Sequence, residues 1–483
     1  MTPVHVLAVA SECFPYVKTG GLADVAGALP QALNDLGHDT LTLIPGYPQV
    51  LARLGPADVV DTYGELYGGP ARVLLGHRSF GQPGVLVVDA PHLFDRPGHP
   101  YQSPDGRDWD DNAFRFAALA VIAREIGFGR LPFWRPDVIH AHDWQAGLVP
   151  AYMALDPRRP RPATVATVHN LAFQGQFPAD RLAALGLPSH AFAVAGVEYY
   201  GGIGFLKAAL FYADKLTTVS PTYAREIRTP EGGMGLDGLL ASRGDDLVGI
   251  VNGIDTAHWD PANDPMIDPP FDAERLQVRR QHKAALQAAL GLQVRRDLPL
   301  FCVISRLTWQ KGMDVLLPAV PALVEAGGQL AVLGSGDAGL EAGFGAAAGR
   351  HPGRVATRIG YDEPLSHRLQ AGSDAILIPS RFEPCGLTQL YGLRYGCVPV
   401  VAATGGLVDT VVDADSRSGA TGIVFEPGRT DRLIDGILRA IDLWKQPARW
   451  SRLQRRGMAQ DLGWASAAGA YVAVFEAALA QRY

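Results

Sequence analysis

The chain has 483 residues, of which 47% are hydrophobic and 8% aromatic, and its formal net charge is −6. This length predicts about three domains, or fewer if they are large, and the negative balance argues against a nucleic-acid or anionic-membrane partner. The four cysteines are scattered without a C-x-x-C pair, which indicates reduced thiols rather than a disulfide framework or a zinc site.

Strands and helices alternate through the first half of the chain, which predicts a parallel sheet covered by helices on both faces. The first strand begins too close to Met1 for a signal peptide, and no apolar run reaches the roughly 18 residues that span a bilayer, so we expect a cytoplasmic protein. Apart from one strand, the Gly- and Pro-rich stretch 47–106 predicts irregular surface structure. Strands are predicted at 5–10, 40–44, 85–89, 137–141, 164–168 and 216–219, with helices that include 22–36, 111–126 and 204–212.

The pattern restarts near residues 250–255 and predicts a second domain of the same kind. A final helical pattern at 464–481 has no strand after it, so it either caps the second domain or crosses back to the first. We therefore predict two doubly wound Rossmann-like α/β domains facing each other across a cleft, at 1–250 and 251–460, with a C-terminal helix in 461–483. Strands are predicted at 300–305, 329–333, 354–359, 374–379, 398–402 and 422–425, with helices at 313–326, 363–371, 387–395, 407–412 and 432–445.

A carboxylate, Glu383, follows the apolar strand 374–379 and precedes a helix that begins with glycine. Open α/β sheets bind ligands there, at the carboxyl ends of strands and beside the free N–H groups of a helix N-terminus. The next turn, 404–409, reads Thr-Gly-Gly-Leu-x-Asp, and the same pattern occurs at 19–24 beside Lys18. Paired glycines allow close backbone approach to an anion, so the repetition predicts two facing anion-binding loops.

Two cations lie five residues apart after the strand 300–305. Arg306 stands at the end of that strand, and Lys311 follows in the turn towards the next helix. They can converge on a pyrophosphate, although a solvated basic turn is the alternative. His169 and Asn170 follow another strand. The pair His140 and His142 shares one face of its strand, but no third ligand accompanies it at a typical spacing, so helix packing or substrate contact is the favoured interpretation over a metal site.

One carboxylate, a pair of cations and glycine loops in a cleft fit transfer of a sugar from a nucleotide diphosphate. The cations would stabilise the departing diphosphate, and Glu383 or a backbone carbonyl would offset positive charge on the sugar carbon. The sequence has no Walker A pattern and no G-x-G-x-x-G after the first strand, which disfavours a kinase or a dehydrogenase.

Six motifs, spread in order over most of the chain, resemble those of the bacterial glycogen synthases, close relatives of plant starch synthases. The resemblance implies a GT-B fold and a retaining transferase that moves glucose from ADP-glucose to the non-reducing end of an α-1,4-glucan, without a metal or bound cofactor. The motifs are KTGGLADV at 18–25, HAHDWQAGL at 140–148, TVHNLAFQG at 167–175, VNGID at 251–255, SRLTWQKG at 305–312 and RFEPCGLTQL at 381–390.

The resemblance also implies roles for individual residues. His169 would hold the donor glucose, Arg306 and Lys311 would neutralise the diphosphate, and Glu383 would orient the glucose. Tyr361 would stack on adenine, and residues 385–388 would present a helix N-terminus to phosphate and sugar. The substrate-binding set is Glu12, Lys18, Gly20, Gly21, Asp24, Asp143, Asn170, Asn252, Tyr361, Ser380, Cys385, Gly386, Leu387 and Thr388.

Two alternatives remain open at this level. A nucleotide-sugar or glucan-binding protein that lost catalysis is disfavoured because every charged motif position is present. A different GT-B transferase, of the sucrose synthase or UDP-sugar kind, is disfavoured by Tyr391, which stands where related enzymes carry a second glutamate, and by the Lys18 turn.

Overall fold

The computed structural model describes residues 3–77, 82–416 and 418–481. The chain divides into two compact units: the first comprises Met1–Gly253 and Trp464–Tyr483, and the second is Ile254–Gly463. The predicted domain boundary after residue 250 lies within a few residues of the end of the segment Met1–Gly253. Residues 1–2 at the start of the first predicted domain and residues 482–483 at the end of the predicted C-terminal helix lie outside the described ranges.

The first unit is built around a nine-stranded sheet with the order β12-β11-β7-β6-β1-β2-β5-β4-β3, and β8 to β10 form a small second sheet. Its strands are β1 His5–Val9, β2 Asp39–Pro45, β3 Ala57–Tyr63, β4 Ala71–Gly76, β5 Gly84–Asp89, β6 Val138–His142, β7 Ala163–Val168, β8 Gln176–Pro178, β9 Glu198–Tyr199, β10 Gly202–Gly204, β11 Lys215–Thr218 and β12 Leu247–Gly249. Its first eight helices are α1 Gly21–Asp35, α2 Pro48–Leu54, α3 Pro91–Phe94, α4 Asn112–Gly127, α5 Leu148–Leu155, α6 Phe205–Tyr212, α7 Pro221–Glu226 and α8 Asp237–Ser242.

The centre of this sheet consists of parallel strands that are almost completely buried. Strands β6 and β7 are buried at every position, as expected for strands covered by helices on both faces. The strand order reverses direction between β1 and β6, so the chain segments after these two strands leave the same edge of the sheet next to each other. Ligands bind at such a switch point in open α/β sheets.

The prediction of irregular structure over 47–106 is wrong for part of that stretch. Strands β3 and β4 pair antiparallel there and extend the sheet beyond β5, with a bulge between Val59 and Asp61. The burial of β3 is intermediate or exposed throughout, which is typical of an edge strand. Its residues therefore lack the apolar run by which the central strands were recognised.

The second unit contains one six-stranded sheet in which all strands are parallel, in the order β15-β14-β13-β16-β17-β18. Counted within the unit, this is the order 3-2-1-4-5-6 of dinucleotide-binding domains, with its switch point between β13 and β16. The strands are β13 Leu300–Ile304, β14 Gln329–Gly334, β15 Val355–Ile359, β16 Ala375–Ile378, β17 Val398–Ala402 and β18 Ile423–Phe425. The helices are α9 Arg279–Ala289, α10 Met313–Leu316, α11 Val320–Glu325, α12 Ala338–Arg350, α13 Glu363–Gly372, α14 Thr388–Tyr395, α15 Gly405–Thr410, α16 Thr430–Trp444 and α17 Pro447–Met458. The predicted fold class is thereby confirmed for each unit.

The last helix, α18 Trp464–Ala480, belongs to the first unit. Its Tyr471 and Phe475 are fully buried in a cluster with Val6 of β1 and Leu29 of α1. Of the two placements that the sequence allowed, the structure therefore shows the one in which the chain returns to the first unit. None of the helices in the described part of the chain is long and apolar enough to cross a membrane.

Candidate active site

The switch point of the second unit holds an ion pair between Lys311, which follows β13, and Glu383, which follows β16. Lys311 Nζ donates to both carboxylate oxygens, at 2.7 and 2.5 Å, and Ser380 Oγ donates to the second oxygen at 2.8 Å. The side chains are 18% and 8% exposed. The carboxylate is therefore fixed in one orientation, with a positive charge bound to it.

Two turns pack tightly against the backbone around this pair, and each has a glycine at a position where no side chain would fit. Gly312 has φ +68°, and a Cβ there would lie 1.9 Å from the carbonyl oxygen of Pro379. Gly405 has φ +46°, and its Cβ would lie 2.0 Å from the carbonyl oxygen of Glu383. The N–H of Gly406 donates to that same oxygen at 3.0 Å. The second Thr-Gly-Gly turn therefore supports the backbone of Glu383.

The predicted helix N-terminus is present, with Leu387 at the N-cap and Thr388 as the first residue of α14. Gly386 reaches it through a left-handed conformation, φ +73°. The Gln389 side-chain amide donates to the carbonyl oxygens of Cys385 and Gly386, both at 3.0 Å. Leucine has no side-chain acceptor, so the first backbone N–H groups of this helix are suited to an anion.

Two further residues predicted for this unit lie on its surface. Arg306 is exposed just beyond β13, and within the described ranges its guanidinium makes no hydrogen bond or ion pair. Tyr361 follows β15 with 76% of its surface exposed, and its hydroxyl donates to Glu363 Oε2 at 2.8 Å. Both side chains are accessible to a ligand.

The sequence analysis gave no role to Arg381, which links the two loops that carry Lys311 and Glu383. Its guanidinium binds Asp314 in a two-pronged ion pair, at 2.6 and 2.8 Å, and donates to the carbonyl oxygen of Trp309 at 2.8 Å. It also lies 4.5 Å from the centre of the Trp309 ring. Its place next to the Phe-Glu-Pro motif was the available signal, but Asp314 is distant in sequence.

The switch point of the first unit contains buried histidines, and the carboxylate of Asp143 is buried beside them. His142 Nδ1 lies 2.9 Å from His169 Nε2, and Asp143 Oδ1 accepts from the backbone N–H of His169 at 2.7 Å. Burial lowers the pKa of His142 to about 3 and that of His169 well below its usual range. Burial also raises the pKa of Asp143 to about 7, although the backbone N–H groups of His169 and Asn170 act in the opposite direction. Both histidines are therefore neutral at pH 7.

Of the His140 and His142 pair, His140 serves helix packing, one of the two interpretations that the sequence analysis favoured over a metal site. Its ring packs against Tyr471 and Phe475 of α18, with ring centroids 5.3 and 5.5 Å away. Its Nε2 lies 2.6 Å from Thr167 Oγ1.

The first Thr-Gly-Gly turn is fastened by the buried carboxylate of Glu12, which accepts from the N–H groups of Thr19 at 2.5 Å and Gly20 at 3.3 Å. The Tyr101 hydroxyl donates to the same carboxylate, a contact that the sequence analysis missed because 89 residues separate the two. A Cβ at Gly20 would meet no atom within 4 Å. In contrast to the second turn, open space therefore lies above this glycine.

The remaining predicted residues of the first unit lie around that turn and at the ends of nearby strands. Lys18 Nζ pairs with Asp24 Oδ1 at 2.7 Å, and Gly21 is the first residue of α1. Asn170 Oδ1 accepts from the N–H of Ala172 at 3.0 Å. Asn252 is buried, and its Oδ1 has no hydrogen-bond partner within the described ranges. An unsatisfied buried amide oxygen requires an explanation, and a bound hydroxyl would supply one.

Family models cover both units: one described as the starch synthase catalytic domain matches residues 5–242, and one described as glycosyl transferases group 1 matches residues 291–456. Among curated proteins, the chain is 55% identical to a glycogen synthase of Methylocella silvestris and 54% identical to one of Rhodopseudomonas palustris, with 100% of each chain covered in both cases. Among solved structures, it resembles the catalytic domain of starch synthase IV from Arabidopsis thaliana bound to ADP and acarbose. That match has a TM-score of 0.87 and 31% identity, over 99% of this chain and 100% of the other. A sucrose-phosphate synthase from Thermosynechococcus elongatus, at 17% identity and a TM-score of 0.60, shares the fold.

Proposed function

Because the chain belongs to the bacterial glycogen synthase family of GT-B glycosyltransferases, we propose that it transfers glucose from ADP-glucose to the 4-hydroxyl at the non-reducing end of an α-1,4-glucan. The observation that carries this proposal is the Lys311–Glu383 pair at the switch point of the second unit. The ADP bound to the similar starch synthase supports an adenine donor.

We propose that Lys311 binds the diphosphate of the donor. An ammonium group has three N–H donors, and Glu383 accepts two hydrogen bonds from this one. The third is left for a phosphate oxygen. Arg306 supplies a second, planar cation, and the N–H groups at the start of α14 supply dipoles that favour the same negative charge. Together these groups stabilise the charge that develops on the leaving diphosphate.

Glu383 is proposed to act on the sugar. Its carboxylate is held by Lys311 and Ser380, so it keeps its position while positive charge develops on the anomeric carbon. The bond from that carbon to the phosphate oxygen breaks, and ADP leaves with the electron pair. The acceptor hydroxyl attacks from the same face, which retains the configuration, and its proton goes to the departing phosphate oxygen.

In the first unit we propose that sugar hydroxyls bind to His169 and Asn252. A neutral imidazole offers one N–H and one acceptor nitrogen, which suits a hydroxyl better than a charged ring does. Asn252 contributes its unsatisfied amide oxygen. Further binding residues are proposed at two places. One is the turn that Glu12 holds, with Lys18, Gly20, Gly21 and Asp24, and the other is the ends of β6 and β7, with Asp143 and Asn170. Tyr361 is proposed to stack on adenine.

We also propose that the transfer needs no bound cofactor, since Lys311 and Arg306 supply the cationic charge. A cytoplasmic location is proposed as well, in keeping with four cysteines that are all buried and free.

The test is incubation of the purified protein with glycogen and either ADP-glucose or UDP-glucose, with nucleotide release and polymer growth both measured. We expect release and growth in equal amounts with ADP-glucose, and a loss of at least about 10²-fold in Glu383→Ala. Growth with UDP-glucose alone would overturn the donor assignment. Tight ADP binding without release from either donor would indicate a binding protein without catalysis, and Glu383→Ala with most of its turnover would refute the role of Glu383.

A further inference from the structure

We propose that His258, Glu363 and His367 form a binding site for a divalent transition-metal ion of the zinc class. The site lies in the second unit, and the glucosyl transfer is not proposed to use its metal. One ligand atom from each of the three side chains lies within 4.8 Å of the other two, and no other group of three such residues meets this criterion in the described ranges.

The backbone brings two of the ligands together before any metal binds. Glu363 is the first residue of α13, and His367 stands four positions later, so both side chains lie on one face of the helix. His258 comes from the loop before α9, and its Nε2 lies 3.1 Å from Glu363 Oε1. Two ligands bound tetrahedrally at about 2.0–2.1 Å from zinc are roughly 3.3 Å apart. The observed separation is close to that value.

His367 is held in the state that a metal ligand requires. Its Nδ1 lies 2.7 Å from Asp264 Oδ2, and the Tyr395 hydroxyl donates to the same oxygen at 2.7 Å. A carboxylate that accepts from Nδ1 leaves a lone pair on Nε2, which is the usual arrangement around metal-bound histidines. The Trp259 ring stacks on the imidazole at 3.8 Å and 9°, which fixes its plane.

The Nε2 atom of His367 also points to a bound ion, independently of the distances within the cluster. The residue is 0% exposed, and within the described ranges this nitrogen has no hydrogen-bond partner. Unpaired buried nitrogens are uncommon and costly, because the group has given up its bonds to water. A metal ion supplies the missing partner.

The donor set selects the class of ion. Two imidazoles and one carboxylate bind zinc in open sites that keep a fourth position for water, whereas magnesium and calcium prefer oxygen ligands. Glu363 can bind through Oε1 while Oε2 continues to accept from Tyr361. The four cysteines are all buried, so thiolates do not compete for the ion from the surface.

The test is direct metal binding by untagged, chelator-treated protein, with Zn²⁺ followed by calorimetry and Co²⁺ by visible absorption. We expect one ion per chain and no binding of Mg²⁺. His258→Ala should weaken Zn²⁺ binding by more than about 100-fold, since even partners behind the ligands are worth 10–100-fold. Glu363→Gln should weaken it by at least about 10-fold, because it keeps the shape of the side chain but loses its charge.

His351→Ala is the matched control, because His351 is half-buried in the same unit at the end of α12 and lies outside the cluster. We expect wild-type affinity in that variant. The proposal is overturned if the wild type binds no Zn²⁺ at millimolar concentration, or if His258→Ala binds within about threefold of wild type while its thermal unfolding is unchanged. Glucosyl transfer does not enter this measurement, so failure of the proposed function leaves it intact.

Discussion

Removal of the charge on Lys311 should lower the stability of the second unit, and Lys311→Met tests this effect. The ammonium is 2.5 to 2.7 Å from the two oxygens of Glu383, and both side chains are largely buried. At an effective dielectric constant of about 20, Coulomb's law gives roughly 6 kcal/mol for unit charges at that distance. Desolvation of the two groups offsets part of this energy, so breaking the pair should cost about 3 kcal/mol of unfolding free energy.

The measurement is a double-mutant cycle of unfolding free energies in urea. Unfolding is monitored by the hydrogen exchange of strands β13 and β16, so that the free energies refer to the second unit alone. We expect Lys311→Met and Glu383→Gln to destabilise it by about 3 kcal/mol each. The double variant should lose at least about 1 kcal/mol less than the sum, because it leaves no unpaired buried charge.

The control is Lys445→Met, since Lys445 and Asp442 form an exposed pair at 3.5 Å. Such pairs contribute little, so the change in unfolding free energy should stay below about 0.5 kcal/mol. Additive losses from Lys311→Met and Glu383→Gln, within about 0.3 kcal/mol, would refute the view that the pair acts as one unit.

Two further changes probe the glycine turns and the buried histidines. Gly405→Ala combines a positive φ with a Cβ that would lie 2.0 Å from the Glu383 carbonyl oxygen, so it should lower the unfolding free energy in urea by about 2–4 kcal/mol. Gly20→Ala should change that free energy by less than about 0.5 kcal/mol, because its Cβ would meet no atom within 4 Å. Equal losses in the two variants would contradict this contrast. His142 has a folded pKa of about 3 against 6.5 when unfolded, so its stabilisation is present above pH 6.5 and is lost as the pH falls towards 3. Between pH 7 and 3 the wild type should therefore lose about 4 kcal/mol more than His142→Asn, and parallel pH profiles of the two proteins would disprove this assignment.

Local patterns in the sequence were sufficient for the central parallel strands and for the region of the site. Buried parallel strands are continuous apolar runs, so β13 and β16 could be placed, and the polar residues that follow them marked the carboxyl edge of the sheet. The roles of Lys311 and Glu383 rested on motifs in those two turns. The antiparallel strand β3 was missed because an edge strand needs no apolar run, and its neighbour β4 was missed because its residues are only partly buried.

The partners of the site residues were decided only by the tertiary structure. Lys311 and Glu383 are 72 residues apart in sequence, and nothing local shows that one ammonium binds both oxygens of one carboxylate. The two Thr-Gly-Gly turns are alike in sequence, yet one packs on the backbone of Glu383 and the other faces open space. The sequence by itself determined which residues stand at strand ends, because hydrophobic period and turn chemistry are local. Which of them touch depends on how the sheets and helices pack over long sequence distances, and that information exists only in the folded chain.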